Sequence, residues 1–168
     1  MADTGFKSPT ASTTVGWTSL SNCYSSNGTY ATTTSATFIN GDVSVFAFGV
    51  PSNAIIDGVE VTAEFANQVG GVTSTIQLSI SGNGGSSYSS TKSDTVTGNT
   101  DTTRTYGGAS DLWGYGSFSE YGTQDGNFYI KVEGKTSTGG FQCRLDHLQA
   151  KIYYHEATAS MFFLLMDN

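Results

Sequence analysis

Four stretches of this chain alternate apolar and polar side chains with a period of two. Val59, Val61, Ala63 and Phe65 share one face, with Glu60, Thr62 and Glu64 on the other. Ile76, Leu78 and Ile80 repeat the pattern, as do Phe128, Ile130 and Val132. Leu148, Ala150, Ile152 and Tyr154 close it, set against His147, Gln149, Lys151 and Tyr153. Side chains two apart share a face only in an extended strand. No stretch of useful length has the helical period, so each apolar face must be buried against another sheet. Short strands with glycine-rich connections predict an all-β fold, an antiparallel sandwich of jelly-roll type with about eight strands. Val59, Val61, Phe65, Ile76, Leu78, Ile80, Phe128, Ile130, Val132, Leu148 and Ile152 are its expected core.

Other segments read less regularly. Positions 1–40 are rich in Ser, Thr and Asn, with Asn27-Gly28 as a turn. Val45-Phe46-Ala47-Phe48-Gly49-Val50, ended by Pro51, reads as a strand apolar on both faces. One irregular strand is expected within 86–103, and one helical turn from Phe118 to Tyr121. No internal repeat is apparent. A single domain is expected over 1–154, followed by a tail over 155–168.

Charge narrows the partners. Charged residues make up 12% of the chain, against roughly a quarter in ordinary domains. The net charge is −7 and no Lys/Arg-rich run is present, which argues against nucleic acid and anionic membrane surfaces. The start of the chain lacks the basic and apolar regions of a signal peptide. The run Met161, Phe162, Phe163, Leu164, Leu165 and Met166 is far shorter than the roughly 20 residues that span a bilayer. Left uncovered, that run would be an aggregation hazard, so it is expected to dock on a partner as an extended arm.

Candidates for chemistry are few. Glu60 and Glu64 lie about 13 Å apart along one strand face, too far for a glycosidase pair at roughly 5–9.5 Å. Cys143 and His147 could begin a zinc site, but two further ligands would have to come from Cys23, His155 or a carboxylate. Asp94, Asp101 and Asp125 could offer oxygen ligands to Ca²⁺ but lack the spacing of a calcium loop. Cys23 and Cys143 read as buried, reduced thiols. No nucleophile elbow or phosphate loop is present. No catalytic, cofactor or metal residue is therefore expected, nor an enzyme. Ser81-Gly82-Asn83-Gly84-Gly85-Ser86-Ser87-Tyr88 resembles the Asp-box hairpin of sialidase-type propellers, a structural turn. Trp17, Trp113, Tyr115 and Tyr121 could form an aromatic binding surface, with burial in the core as the competing reading.

The order of segments carries one resemblance. Trp17, Asn27-Gly28 and Tyr30-Ala31 are followed by Phe46-Ala47-Phe48-Gly49-Val50-Pro51 and Ala54-Ile55-Ile56-Asp57-Gly58-Val59-Glu60-Val61. Tyr106-Gly107-Gly108, Asp111-Leu112-Trp113-Gly114, Phe128-Tyr129-Ile130 and the run from Leu145 to Tyr154 complete it. Over residues 15–154 this resembles the small β-sandwich virion proteins of tailed bacteriophages: capsid decoration proteins, head fibres and parts of tail fibres. The resemblance implies a structural protein made in the host cytoplasm and carried on the virion. It favours a capsid decoration (cement) protein, binding the major capsid protein or other virion proteins as a homo-oligomer, with a trimer preferred. The alternative is a tail or tail-fibre component whose sandwich binds carbohydrate.

Overall fold

The computed structural model describes residues 1–157. Ten strands succeed one another along them: β1 (Ala2–Asp3), β2 (Ala11–Thr14), β3 (Ala31–Thr33), β4 (Ile39–Ser44), β5 (Ala54–Asn67), β6 (Thr73–Ser81), β7 (Lys92–Thr97), β8 (Thr102–Gly107), β9 (Tyr129–Thr136) and β10 (Cys143–Glu156). Short 3₁₀ turns occupy Leu20–Cys23 and Glu120–Thr123.

The strands form two five-stranded antiparallel sheets. One runs β1–β10–β5–β8, with β3 pairing β10; the other runs β2–β4–β9–β6–β7. The apolar faces of the two sheets enclose one core, and every residue expected there from the alternation is buried in it. The chain is thus an all-β, antiparallel β-sandwich. The long pair β5–β10 is its spine. Before β2, the chain lies along β10: Ala2 stands opposite Tyr154, Thr4 N–H donates to the Ile152 carbonyl, and Lys7 bridges Ala150.

The β5–β10 register slips twice. Leu145 faces Phe65 and His147 faces Glu64, so Asp146 is the extra residue of one bulge. Tyr153 faces Gly58 and Tyr154 faces Ile56, which leaves Asp57 over at the other. A bulge re-aims the extra side chain. Asp57 thereby meets His155 Nδ1 at 2.8 Å.

Three expectations need correction. Residues 45–50 form no strand. Val45, Ala47 and Gly49 have φ of 61°, 50° and 68°, left-handed values that a regular strand does not contain. Phe46 and Phe48 stack on one another, 5.2 Å apart with an interplanar angle of 1°. Secondly, strand β10 continues past Tyr154 to Glu156 because its partner β5 begins only at Ala54. Thirdly, the expected helical turn lies at Glu120–Thr123, two residues later than placed, where the Ser119 side chain caps it by accepting from Gly122 N–H. The run Met161–Met166 lies outside the described residues.

Candidate functional site

The register puts one set of connections at one end of the sandwich. Segments 45–53, 82–91 and 108–128 all leave or enter strands there. Three of the four non-glycine residues with left-handed φ lie at this end, Trp113 at 57° with Val45 and Ala47; the fourth is Ser19 at 54°. Non-glycine residues in that region cost energy, and such residues cluster at functional sites.

An aromatic stack supports these loops. Phe46 and Phe48 both meet the edge of Phe128, with ring centroids at 5.4 and 5.1 Å. Phe118 follows at 6.2 Å from Phe128, and Tyr115 at 5.2 Å from Phe118. Edge-to-face pairs at this spacing add to simple burial. The stack fixes Tyr115 and Phe118 as walls of a cleft of about 150 Å³, completed by Asn83, Ser117, Ser119 and glycines at 82 and 122. A side chain at position 82 would lie 2.7 Å from the Phe118 ring, so the cleft floor requires glycine there. Beside it, Tyr121 is 60% exposed. A second hollow of about 180 Å³ lies between the strained segment 47–50 and residues 123–125, where Asp125 accepts from Ala47 N–H at 2.9 Å.

The four aromatic residues expected as a binding surface separate. Trp17 is 3% exposed and Trp113 is fully buried, so neither belongs to a surface. Each indole N–H finds a buried backbone carbonyl: Trp17 that of Ile39 at 3.0 Å, Trp113 that of Val59 at 2.8 Å. Tyr115 is half-buried and donates to the Ile80 carbonyl at 3.3 Å. Only Tyr121 stands free. Asn83 and Phe118 read in the sequence only as parts of a structural turn and a helical turn, and Ser117 and Ser119 carry no reading there. The Ser-Phe-Ser string beside Tyr121 was the available signal.

Trp113 is nonetheless held with care. Asp111 accepts its backbone N–H at 2.7 Å and pairs with Lys92 at 2.7 Å. The Lys92 ammonium holds the Asp111 carboxyl below the usual carboxylate range, against a smaller opposing effect of burial. The same ammonium lies 5.2 Å from the Trp113 ring centre.

The other candidates scatter. Glu60 is taken up by the Tyr153 hydroxyl and Lys151. Asp94 pairs with Arg104, far from the Asp125 contact with Ala47. Cys23 and Cys143 are both free thiols, and burial pushes each up to about 12. Such thiols are poor metal ligands, and His147 turns instead to the Ser8 hydroxyl at 2.9 Å. The Asp-box-like turn is closed internally: Asn83 accepts from the Ser81 hydroxyl and the Ser87 N–H and donates to the Ser87 hydroxyl. Asp101 lies at the opposite end of the sandwich, with Glu64 and Asp146. One oxygen from each comes within 4.8 Å of the others, an arrangement among the described residues that could hold a cation.

No known family model matches this chain, and no curated protein does. Among solved structures it is similar to TmCBM61, solved in complex with β-1,4-galactotriose. That overlap has 12% identity and a TM-score of 0.35 over 83% of this chain and 79% of the other. It is also similar to Family 16 Carbohydrate Binding Module-2, with 7% identity and a TM-score of 0.38 over 81% of this chain and 85% of that one. Likenesses this loose transfer no ligand or activity.

Proposed function

We propose that this chain is a recognition domain whose loop-bearing end binds a neutral glycan. One observation carries the reading: an uncharged cleft with two aromatic walls, Tyr115 and Phe118, an amide and hydroxyl rim, and an exposed tyrosine beside it. A sugar ring offers an apolar C–H face bounded by hydroxyls. Aromatic walls serve the face, and the Ser117 and Ser119 hydroxyls with the remaining Asn83 amide N–H serve the rim. The cleft is smaller than the roughly 300 Å³ that encloses a drug-sized ligand, so it takes one ring or a chain end and binds weakly.

The test is affinity electrophoresis of the folded protein through neutral polysaccharides, repeated with Tyr121→Ala. Retardation by at least one polysaccharide, lost in the variant while its unfolding curve is unchanged, is the expected outcome. Normal mobility in every galactan, glucan and mannan tried would sink the reading.

The order of segments from Trp17 to Tyr154 supports placing the domain on a phage particle, and there a second reading stands: capsid decoration. Copy number separates the two. A glycan-binding tail or fibre component is expected at a handful of copies per virion. A ratio to the major capsid protein near one, or near one third, would instead favour decoration.

A further inference from the structure

A second cluster sits at the end of the sandwich away from the cleft and independent of it. We propose that Glu64, Asp101 and Asp146 form a Ca²⁺ site that clamps the turn at residues 26–28 to the core strands β5 and β10.

Three strands' worth of sequence converge there. Glu64 lies on β5, opposite His147 of β10. Asp101 immediately precedes β8, whose Thr103 is the partner of Glu64. Asp146 is the bulge residue of β10 and is 2% exposed. As the extra residue of the bulge, Asp146 has no cross-strand partner on β5, and one of its oxygens lies within 4.8 Å of those of Glu64 and Asp101. Its oxygens are then held by Gly28 N–H at 3.0 Å, with Asn27 N–H and the Ser26 hydroxyl each at 3.4 Å.

No ion pair neutralises the cluster: the four among the described residues use Asp111, Asp94, Glu60 and Asp57, and none of these three carboxylates. The nearby Arg144 lies over the Tyr30 ring at 5.1 Å and donates its Nε–H to Gln142. His147 shares a hydrogen bond with the Ser8 hydroxyl. A separate observation points to a ligand. Asp101 Oδ2 accepts from the Tyr30 hydroxyl at 2.8 Å, but Oδ1 is fully buried and has no hydrogen-bond partner at all. A buried carboxylate oxygen without a donor is costly, and no donor is placed to reach it. A cation among the three carboxylates removes both the orphan and the repulsion.

The donor set chooses the cation. All three ligands are carboxylate oxygens, which suit hard ions. Ca²⁺–oxygen distances of about 2.3–2.6 Å place ligands on opposite sides of one ion up to roughly 5 Å apart. The separations, all within 4.8 Å, fall inside that span. Ca²⁺ accepts roughly six to eight oxygens in flexible geometry, whereas Mg²⁺ demands near-ideal octahedral geometry at about 2.1 Å, so irregularly placed carboxylates favour Ca²⁺.

The experiment uses the whole chain, stripped with a chelator and titrated with CaCl₂ or MgCl₂ while thermal unfolding is followed. Ca²⁺ is expected to raise Tm on the order of 5 °C at saturation, with a smaller rise from Mg²⁺. Asp101→Asn should lose that rise, yet in chelator unfold no lower than wild type, because it removes one of three like charges. A carboxylate with only a structural role would lower Tm in chelator instead. Glu64→Gln is the second variant should Asp101→Asn fail to fold. Tb³⁺ emission sensitised through Tyr30 reports occupancy directly. An unchanged Tm in Ca²⁺ up to about 10 mM, above the weakest calcium modules, overturns the proposal. So does a variant that responds like wild type.

Discussion

At Gly134 an added Cβ would stand 2.4 Å from Cζ2 of Trp17, and at Gly41 one would stand 2.6 Å from Leu20. These two strand positions, on β9 and β4, are the space that the Trp17 ring occupies. Gly134→Ala is therefore expected to destabilise the fold by about 1–3 kcal/mol through overpacking. Urea unfolding checks this: the midpoint should fall with the slope unchanged, and an unaltered midpoint would mean that Trp17 can move aside. The same ring shows why the sequence leaves surface and core both open for the two tryptophans. Trp17 sits in a Ser/Thr-rich stretch and Trp113 beside glycine, surroundings that read as exposed loop. Burial of an indole depends on a carbonyl for its N–H. For Trp113 that carbonyl belongs to Val59, 54 residues away, and nothing local announces it.

At the scale of elements, legibility followed periodicity. The middles of β5, β6, β9 and β10 were legible because one face of each is buried and the other is more exposed, while β5 and β10 run on past the alternation to Ala54–Asn67 and Cys143–Glu156. Segment 45–50 failed for the complementary reason: an unbroken apolar run cannot say whether its backbone is extended throughout. Three left-handed residues make it a loop that delivers two phenylalanines to one stack. The connection from β8 to β9 carries a pH dependence. The Asp111 carboxyl titrates lower in the folded chain than its ordinary value, chiefly through its bond with Lys92. Its stabilisation is thus fully present above the ordinary carboxylate pKa of about 3.9 and is lost as pH falls through the lower folded value. Lys92→Met should move the Asp111 titration upward, read by carboxyl NMR. An unmoved titration would assign the shift to the Trp113 N–H bond instead.

For the molecule as a whole, two sheets and the membership of one core could be read from the alternation. Which strand neighbours which could not. β10 lies between β1, β3 and β5, partners separated from it by most of the chain, and pairing at that distance leaves no mark in either strand alone. The candidate sites were less legible still. The cleft draws on residues near 83 and 115–122, and the carboxylate cluster on residues near 64, 101 and 146. Each set is assembled only when the loops of one end come together. Asp101 was weighed as a calcium ligand with Asp94 and Asp125, its neighbours in composition; the fold gives it Glu64 and Asp146.

The strip of chain before β2 has a mechanical consequence. Ala2 and Glu156 lie at the same end, and the bonds of Ala2, Thr4 and Lys7 to Tyr154, Ile152 and Ala150 succeed one another away from it. A load drawn between those two points does not shear the ladder; it opens one rung at a time, like a zip. The first segment to peel under tension is residues 2–8, which also carry the Ser8 hydroxyl off His147. Pulled from its two ends, the domain would yield at low force and in steps, while the β5–β10 spine behind that strip keeps both loop clusters in place.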